Sequence, residues 1–173
     1  MTTFLESILF RFVAIKSLGD RTFQQMTSDE TFRWTPDSES NCIGVLIQHL
    51  HGNMLSRWTD FLTSDGNKEW RDRDGEFTFR PERTREDYLR LWEEGWRVTL
   101  NTIGGLKNED LEKEVTVRGQ PMTVIDALHR QLSHYSYHVG QIVLLAKIQK
   151  SADWQTLSIP KGKSKDYVPT KQD

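Results

Sequence analysis

The stretch RQLSHYSYHVGQIVLLAKIQ, residues 130–149, combines a strong helical pattern with an unusual pair of side chains. His134 and His138 stand four residues apart, and apolar residues follow them at spacings of three and four. On a helical wheel of about 100° per residue, both histidines lie on the stripe that continues into Leu145. The stretch therefore predicts a long amphipathic helix whose inward face carries two imidazoles.

Three further segments show the same periodicity. Helices are predicted over residues 3–27, from about residue 41 to 62, and after a capping-box pattern that begins at Thr84. The helix that carries the two histidines is predicted over residues 124–150. Four long amphipathic helices indicate an all-α fold, and specifically a four-helix bundle.

The connections between these helices differ in length and character. Residues 64–81 form a long connection, which indicates a functional loop or a crossover from one end of the bundle to the other. Within residues 111–123, residues 114–118 alternate with period two and residues 119–121 give a turn, which predicts a short hairpin or extended segment before the last long helix. Residues 152–173 are expected to form a partly ordered extension of a single domain over residues 1–173.

The composition argues against several classes of partner. The chain has 173 residues, a formal net charge of −2 and a single cysteine, Cys42. A nearly neutral charge gives no reason to expect nucleic acid or an anionic membrane, and no window approaches about 18 consecutive apolar residues. The N-terminus lacks the features of a secretory signal, and one cysteine rules out an internal disulfide. We therefore expect a cytoplasmic protein without a nucleic-acid or membrane partner.

The second predicted helix supplies a further inward imidazole. His49 and His51 lie about 200° apart on its wheel, so only one of them can face the interior. His49 shares its side with Leu46 and Cys42 and is therefore the inward one. We expect His51 to be exposed or at an interface, and His129 of the last helix to lie at the surface.

Three inward histidines on neighbouring helices indicate a metal site, with three hydrogen-bonded core histidines as the alternative. Imidazoles at positions i and i+4 have Cβ atoms about 5–6 Å apart, and zinc binds ring nitrogens at about 2.0–2.1 Å. Three histidines leave a coordination position open, which is typical of a catalytic rather than a structural zinc. The ligand set also suits nickel, copper or iron.

Polar side chains flank the histidines at helical spacing. Asn53 and Arg57 follow the inward histidine of the second helix by one and two turns, and Gln131 and Gln141 flank the pair on the last helix. Such groups orient metal-bound imidazoles or line a substrate pocket. For Arg57, an ordinary surface salt bridge is the alternative.

Two other groups of residues are weighed in the same way. Trp70, Arg71 and Arg73 of the long connection could cover the pocket and receive an anionic substrate, although a solvated charged loop is the simpler reading. Tyr135 and Tyr137 are expected to be packing residues with satisfied hydroxyls rather than catalytic acids.

The motifs LIQHLHGNM on the second helix and HYSYHVGQI on the last one resemble the DinB-like, or YfiT-like, superfamily of proposed metal-dependent hydrolases. The resemblance extends from the first helix to about Lys150, and stretches such as EWRDRDGEF are similar to an uncharacterised Bacillus-type subfamily. It implies a four-helix bundle with a long crossover, often a homodimer, and a nickel or zinc ion held by His49, His134 and His138. Several relatives have arginine where this chain has Val139, which removes a cation near the site.

The resemblance also suggests chemistry. Relatives include thiol S-transferases that use bacillithiol or mycothiol, and a mycothiol-dependent maleylpyruvate isomerase. The first hypothesis is therefore a metal-dependent enzyme that transfers a low-molecular-weight thiol to a small electrophile. The alternatives are a hydrolase that uses metal-bound water and a non-catalytic metal-binding or interaction domain. No general base stands out beside the histidines, so the catalytic residues are unassigned; tryptophans on the third predicted helix could supply a dimer interface.

Overall fold

The structure is a computed structural model that describes residues 3–168. It confirms the prediction of a mainly α-helical chain with a short hairpin before the last helix. Within these residues, no helix is both long enough and apolar enough to cross a membrane. The helices and strands are α1 (Phe4–Phe23), α2 (Asp29–Arg33), α3 (Ile43–Trp58), α4 (Arg85–Gly104), β1 (Glu114–Val117), β2 (Gln120–Thr123) and α5 (Val124–Lys150).

The starts of the long helices follow their capping residues. Thr3 and Thr84 form capping boxes with the acidic residue three positions later, and the Thr123 side chain accepts from the Asp126 N–H at the start of α5. The starts predicted for the last two helices are therefore confirmed.

Two predicted helix ends are wrong. The first helix ends at Phe23 instead of residue 27, and the separate short helix α2 forms within the predicted loop. The second helix ends at Trp58 instead of residue 62, because Thr59 is extended and Asp60 adopts a φ of 50°. A positive φ in a residue other than glycine interrupts a right-handed helix.

The four long helices pack in a cycle around one core. Helix α1 contacts α4 and α5, and α3 contacts the same two helices. Large aromatic side chains fill the centre, and Trp92 and Trp96 of α4 are buried there. These two tryptophans therefore cannot supply a dimer interface, contrary to that expectation. Gly95 allows α4 to approach α3 closely, since a Cβ at this position would lie 2.8 Å from the Met54 Sδ.

The connection over residues 64–81 runs back along α3 towards its N-terminus. Near the C-terminal end of α3, the Lys68 N–H donates to the Ser56 hydroxyl at 3.2 Å. Near the N-terminal end, the Gln48 amide donates to the Thr78 carbonyl at 3.1 Å. The Asp65 carboxylate accepts backbone N–H groups from the turn of the hairpin and so attaches the connection to that turn. The connection thus covers a face of α3 that would otherwise meet water.

The C-terminal segment returns to α1. Gln25 and Gln155 exchange two hydrogen bonds, of 2.9 and 3.0 Å, and Trp154 packs partly buried against the core. The last part of the predicted extension, residues 169–173, lies outside the described residues.

Candidate metal centre

Three histidine side chains from α3 and α5 converge on one point. His49 comes from α3, and His134 and His138 come from adjacent turns of α5. The His134 Nε2 lies 3.2 Å from the His49 Nε2 and 3.1 Å from the His138 Nε2. One ligand nitrogen from each residue lies within 4.8 Å of the other two, so the three are close enough to bind one metal ion.

The outer nitrogens of two of these rings are held by acceptors. The His49 Nδ1 lies 2.9 Å from the Glu76 Oε2, and the His138 Nδ1 lies 2.9 Å from the Gln141 Oε1. An ionised carboxylate can only accept, so His49 carries its proton on Nδ1, and His138 does the same when it donates to the amide oxygen. The Nε2 atoms of both rings then present lone pairs to the centre of the cluster.

This arrangement fits a cation better than it fits a set of hydrogen bonds. A neutral His134 has one ring proton, and its Nε2 can donate to only one of the two facing lone pairs. The other lone pair remains buried without a donor, which is unfavourable. A divalent ion facing the three nitrogens satisfies all of them, and imidazole is a good ligand for zinc and nickel.

The protonation of the cluster also suits a metal. Burial is the main cause that lowers the pKa of His134 to about 3, and positive charge on His138 and His49 contributes to the same shift. Burial likewise lowers the pKa of His138. Both rings are therefore neutral at pH 7, which is the form that binds metal ions.

Glu76 connects the cluster to a buried ion pair. The Arg71 guanidinium donates to both carboxylate oxygens, through Nε to Oε1 at 2.7 Å and through a terminal nitrogen to Oε2 at 2.8 Å. Burial raises the pKa of Glu76, but hydrogen bonds from Arg71 and His49 outweigh it and hold that pKa below its usual range. A Cβ at Gly52 would lie 2.2 Å from the Glu76 Oε1, so the carboxylate needs a glycine at this position of α3.

Sequence reasoning missed Glu76. The connection over residues 64–81 contains five acidic residues, and neither periodicity nor spacing distinguishes this one from the others. The only available signal was the unusual length of the connection, which indicated a functional loop or a crossover.

Aromatic rings cover part of the cluster. Phe77 stacks on the His49 ring with a centroid distance of 4.6 Å and an interplanar angle of 30°. Tyr137 presents its ring at 69° to His138, with the centroids 4.9 Å apart. Tyr137 is 62% exposed, so it is a rim residue and not the packing residue that the sequence suggested.

The four flanking polar residues occupy different positions. Gln141 contacts His138, as described above. Asn53 instead accepts from the Tyr135 hydroxyl at 3.2 Å, and that hydroxyl accepts from the Trp58 indole at 2.9 Å. The carbonyl oxygen of Gln131 is buried and has no hydrogen-bond partner among the described residues.

Arg57 is buried, so the surface salt bridge considered for it is wrong. It donates to the Gly66 carbonyl and has no carboxylate within 4.0 Å among the described residues. Of the loop residues considered as a cover, Arg71 is buried in its ion pair, whereas Trp70 and Arg73 are exposed.

The other two histidines lie outside the cluster. His51 is half-buried and lies 3.0 Å from the Glu94 carboxylate on α4. His129 is exposed, as predicted, and its ring contacts Phe4 at a centroid distance of 5.5 Å.

Comparison with known proteins identifies one relationship. A family model described as "Protein of unknown function (DUF1572)" matches residues 1–163. No curated protein matches the chain.

Proposed function

Because the chain belongs to the DUF1572 family, which is DinB/YfiT-like and of unknown function, we propose its activity from the site itself. We propose that it is a divalent-metal-dependent enzyme that transfers a low-molecular-weight thiol to a small electrophile. The observation that carries the proposal is the convergence of the Nε2 atoms of His49, His134 and His138.

These three histidines would hold the ion, with nickel or zinc as the proposed metal. Three protein ligands leave room for an exogenous one, as in catalytic rather than structural sites. When bound, the ion supplies Lewis acidity, which lowers the pKa of a thiol or a water molecule that reaches the site.

The residues around the histidines have separate roles in this proposal. Glu76 holds the His49 ring in one orientation and one tautomer, and Arg71 holds Glu76 in place. Gln141 does the same for the ring of His138. Such partners commonly set the affinity of a metal site, because the imidazoles then need no reorganisation to bind.

The hydrogen bonding of Glu76 favours thiol transfer over hydrolysis. Among residues 3–168, Glu76 is the only carboxylate hydrogen-bonded to one of the three histidines. Both of its oxygens accept hydrogen bonds from Arg71, and its pKa is lowered, so it is poorly suited to take a proton from water. A thiol would need no such base, because an ion held by the three histidines would supply the acidity for its deprotonation.

The bundle architecture and the oligomeric state are proposals as well. The cyclic packing of α1, α4, α3 and α5 supports a four-helix bundle. Exposed apolar side chains on α5, at Tyr137, Leu144 and Ile148, support a homodimer through this helix. A cytoplasmic location and the Bacillus-type subfamily remain predictions from the sequence.

A thiol-conjugation assay tests the proposed reaction. Nickel- or zinc-loaded protein is incubated with 1-chloro-2,4-dinitrobenzene and cysteine, glutathione, coenzyme A or bacillithiol in turn, and the thioether is measured. We expect turnover above the uncatalysed rate with at least one thiol, and loss of that turnover in His138→Ala. His129→Ala is the matched control, since it removes an exposed histidine from the same helix.

The same preparations separate the alternatives. If no thiol is turned over but p-nitrophenyl esters are hydrolysed in a manner that requires His138, the hydrolase alternative replaces thiol transfer. If neither reaction exceeds the rate of the His138→Ala variant, the enzymatic proposal is contradicted and a non-catalytic metal-binding role remains.

A further inference from the structure

Arg57 is a buried cation with no carboxylate within 4.0 Å among residues 3–168. It follows His49 by two turns of α3, about 80° further around the helix, and it is 5% exposed. It makes one hydrogen bond, to the Gly66 carbonyl, while its Nε is buried and has no partner among the described residues. Burying a charge without compensation is costly, so this arrangement requires an explanation.

Three other arginines act on the pKa of Arg57. Burial is the main cause that lowers the pKa of Arg57 to about 10, and the positive charges of Arg71, Arg130 and Arg118 contribute to the same shift. Arg118 and Arg130 are exposed. The Asp65 carboxylate nearby accepts backbone N–H groups from Arg118 and Gly119. The region around Arg57 is therefore electropositive, which attracts anions.

The hydrogen bond to Gly66 does not account for the burial of Arg57. The same Gly66 carbonyl also accepts from the Ser56 hydroxyl at 2.8 Å, so it would be satisfied without the arginine. Arg57 instead shares α3 with His49 of the histidine cluster and lies two helical turns after it. A second unpartnered group, the buried carbonyl oxygen of Gln131, lies one turn before His134 on α5.

We propose that Arg57 binds an oxyanion group, a carboxylate or a phosphate, on the small molecule that reaches the three-histidine site. The planar guanidinium can donate two charge-assisted hydrogen bonds to a pair of oxygen atoms in either group. The Cα atoms of His49 and Arg57 are about 12 Å apart along the helix, so the substrate would be elongated, with its anionic end away from the histidines. This inference rests on the proposed function only in placing the reacting end of the substrate beside the three histidines.

Thermal unfolding with simple oxyanions tests the subsite directly. Metal-free and metal-loaded protein are titrated with succinate or with inorganic phosphate, against sodium chloride of equal ionic strength. We expect the Tm of both forms to rise by about 5–10 °C when the anion reaches about 100 times its Kd. Arg57→Met is expected to abolish the rise, whereas Arg97→Met, which removes an exposed arginine of α4, is expected to preserve it.

The ligand-free variant provides a second readout. If Arg57 is a binding residue, replacing an uncompensated buried charge with methionine leaves the Tm unchanged or raises it. If Arg57 has a purely structural role, the Tm falls. A response to succinate alone identifies a carboxylate substrate, and a response to phosphate alone identifies a phosphate; either one supports the proposal.

Two results would overturn the inference. One is a wild-type protein whose Tm responds to neither anion, and the other is an Arg57→Met variant that responds like the wild type. Metal content measured on the same samples keeps the two proposals separate. Metal binding without an anion response refutes only the role of Arg57, and an anion response without metal binding refutes only the metal site.

Discussion

Replacing Glu76 with glutamine tests how the connection over residues 64–81 supports the metal centre. In the folded protein the His49 Nδ1 donates to the carboxylate at 2.9 Å, and Arg71 fixes that carboxylate with two further hydrogen bonds. Glutamine keeps the shape and one acceptor oxygen. It loses the negative charge, and its amide N–H groups face the donors of Arg71.

The expected loss follows from these contacts. A hydrogen bond to a charged group contributes about 1.5–3 kcal/mol and a neutral one about 0.5–1.5 kcal/mol, so the His49 contact weakens by roughly 1–1.5 kcal/mol. That corresponds to about a fivefold to tenfold loss of metal affinity, since 1.4 kcal/mol is tenfold. Loss of the fixed ring orientation increases the effect, and we expect nickel or zinc to bind about 10–100 times more weakly.

Competition with a chromophoric chelator measures this affinity. Glu94→Gln is the matched control, because Glu94 contacts His51 at the similar distance of 3.0 Å but lies outside the cluster. We expect the control to bind metal as tightly as the wild type. A Glu76→Gln variant whose affinity stays within about twofold of the wild type would refute the orienting role of the carboxylate.

Three further outcomes are expected. Gly52→Ala displaces the Glu76 carboxylate, because the added Cβ would lie 2.2 Å from its Oε1, and so weakens metal binding in the same chelator competition. Gly140→Ala, where a Cβ meets nothing within 4 Å, leaves affinity unchanged. Tyr135→Phe leaves a buried indole N–H and a buried amide oxygen without their hydrogen-bond partner, so we expect the free energy of unfolding measured in urea to fall by about 1–3 kcal/mol. Tyr137→Phe, at the surface, is expected to change that free energy by less than about 0.5 kcal/mol. In metal-free protein the pKa of His134 is about 3 when the chain is folded and about 6.5 when it is unfolded, so between pH 3 and pH 6.5 the unfolded chain binds one more proton. The free energy of unfolding therefore falls as the pH drops below about 6.5. We expect His134→Gln to make the denaturation midpoint less dependent on pH in this range.

Periodicity predicted the elements that bury one face and expose the other. The histidines were selected from the same pattern, because a helical wheel separates His49 from His51 and excludes His129. The hairpin and the start of α5 also follow from local patterns, since charged or polar and apolar residues alternate in β1 and Thr123 caps the helix. Local rules are sufficient where each residue's environment depends on its sequence neighbours.

Features that depend on distant contacts could not be predicted. Residues 43–50 of α3 are all buried, because the returning connection covers the face that a simple amphipathic helix would expose. The same contact places Glu76 beside His49, and it encloses Arg57, a residue type that is seldom buried. No pattern within residues 64–81 specifies where this segment folds, so its role became visible only in three dimensions.

Metal content is the most direct test of the three-histidine site. Protein purified without chelators is loaded with nickel or zinc and desalted, and the bound metal is quantified by elemental analysis together with the affinity. We expect one ion per chain in the wild type and in His129→Ala, and loss of stoichiometric metal in His49→Ala, His134→Ala and His138→Ala. A wild type without stoichiometric metal, or alanine variants at the three ligands with unchanged affinity, would contradict the account.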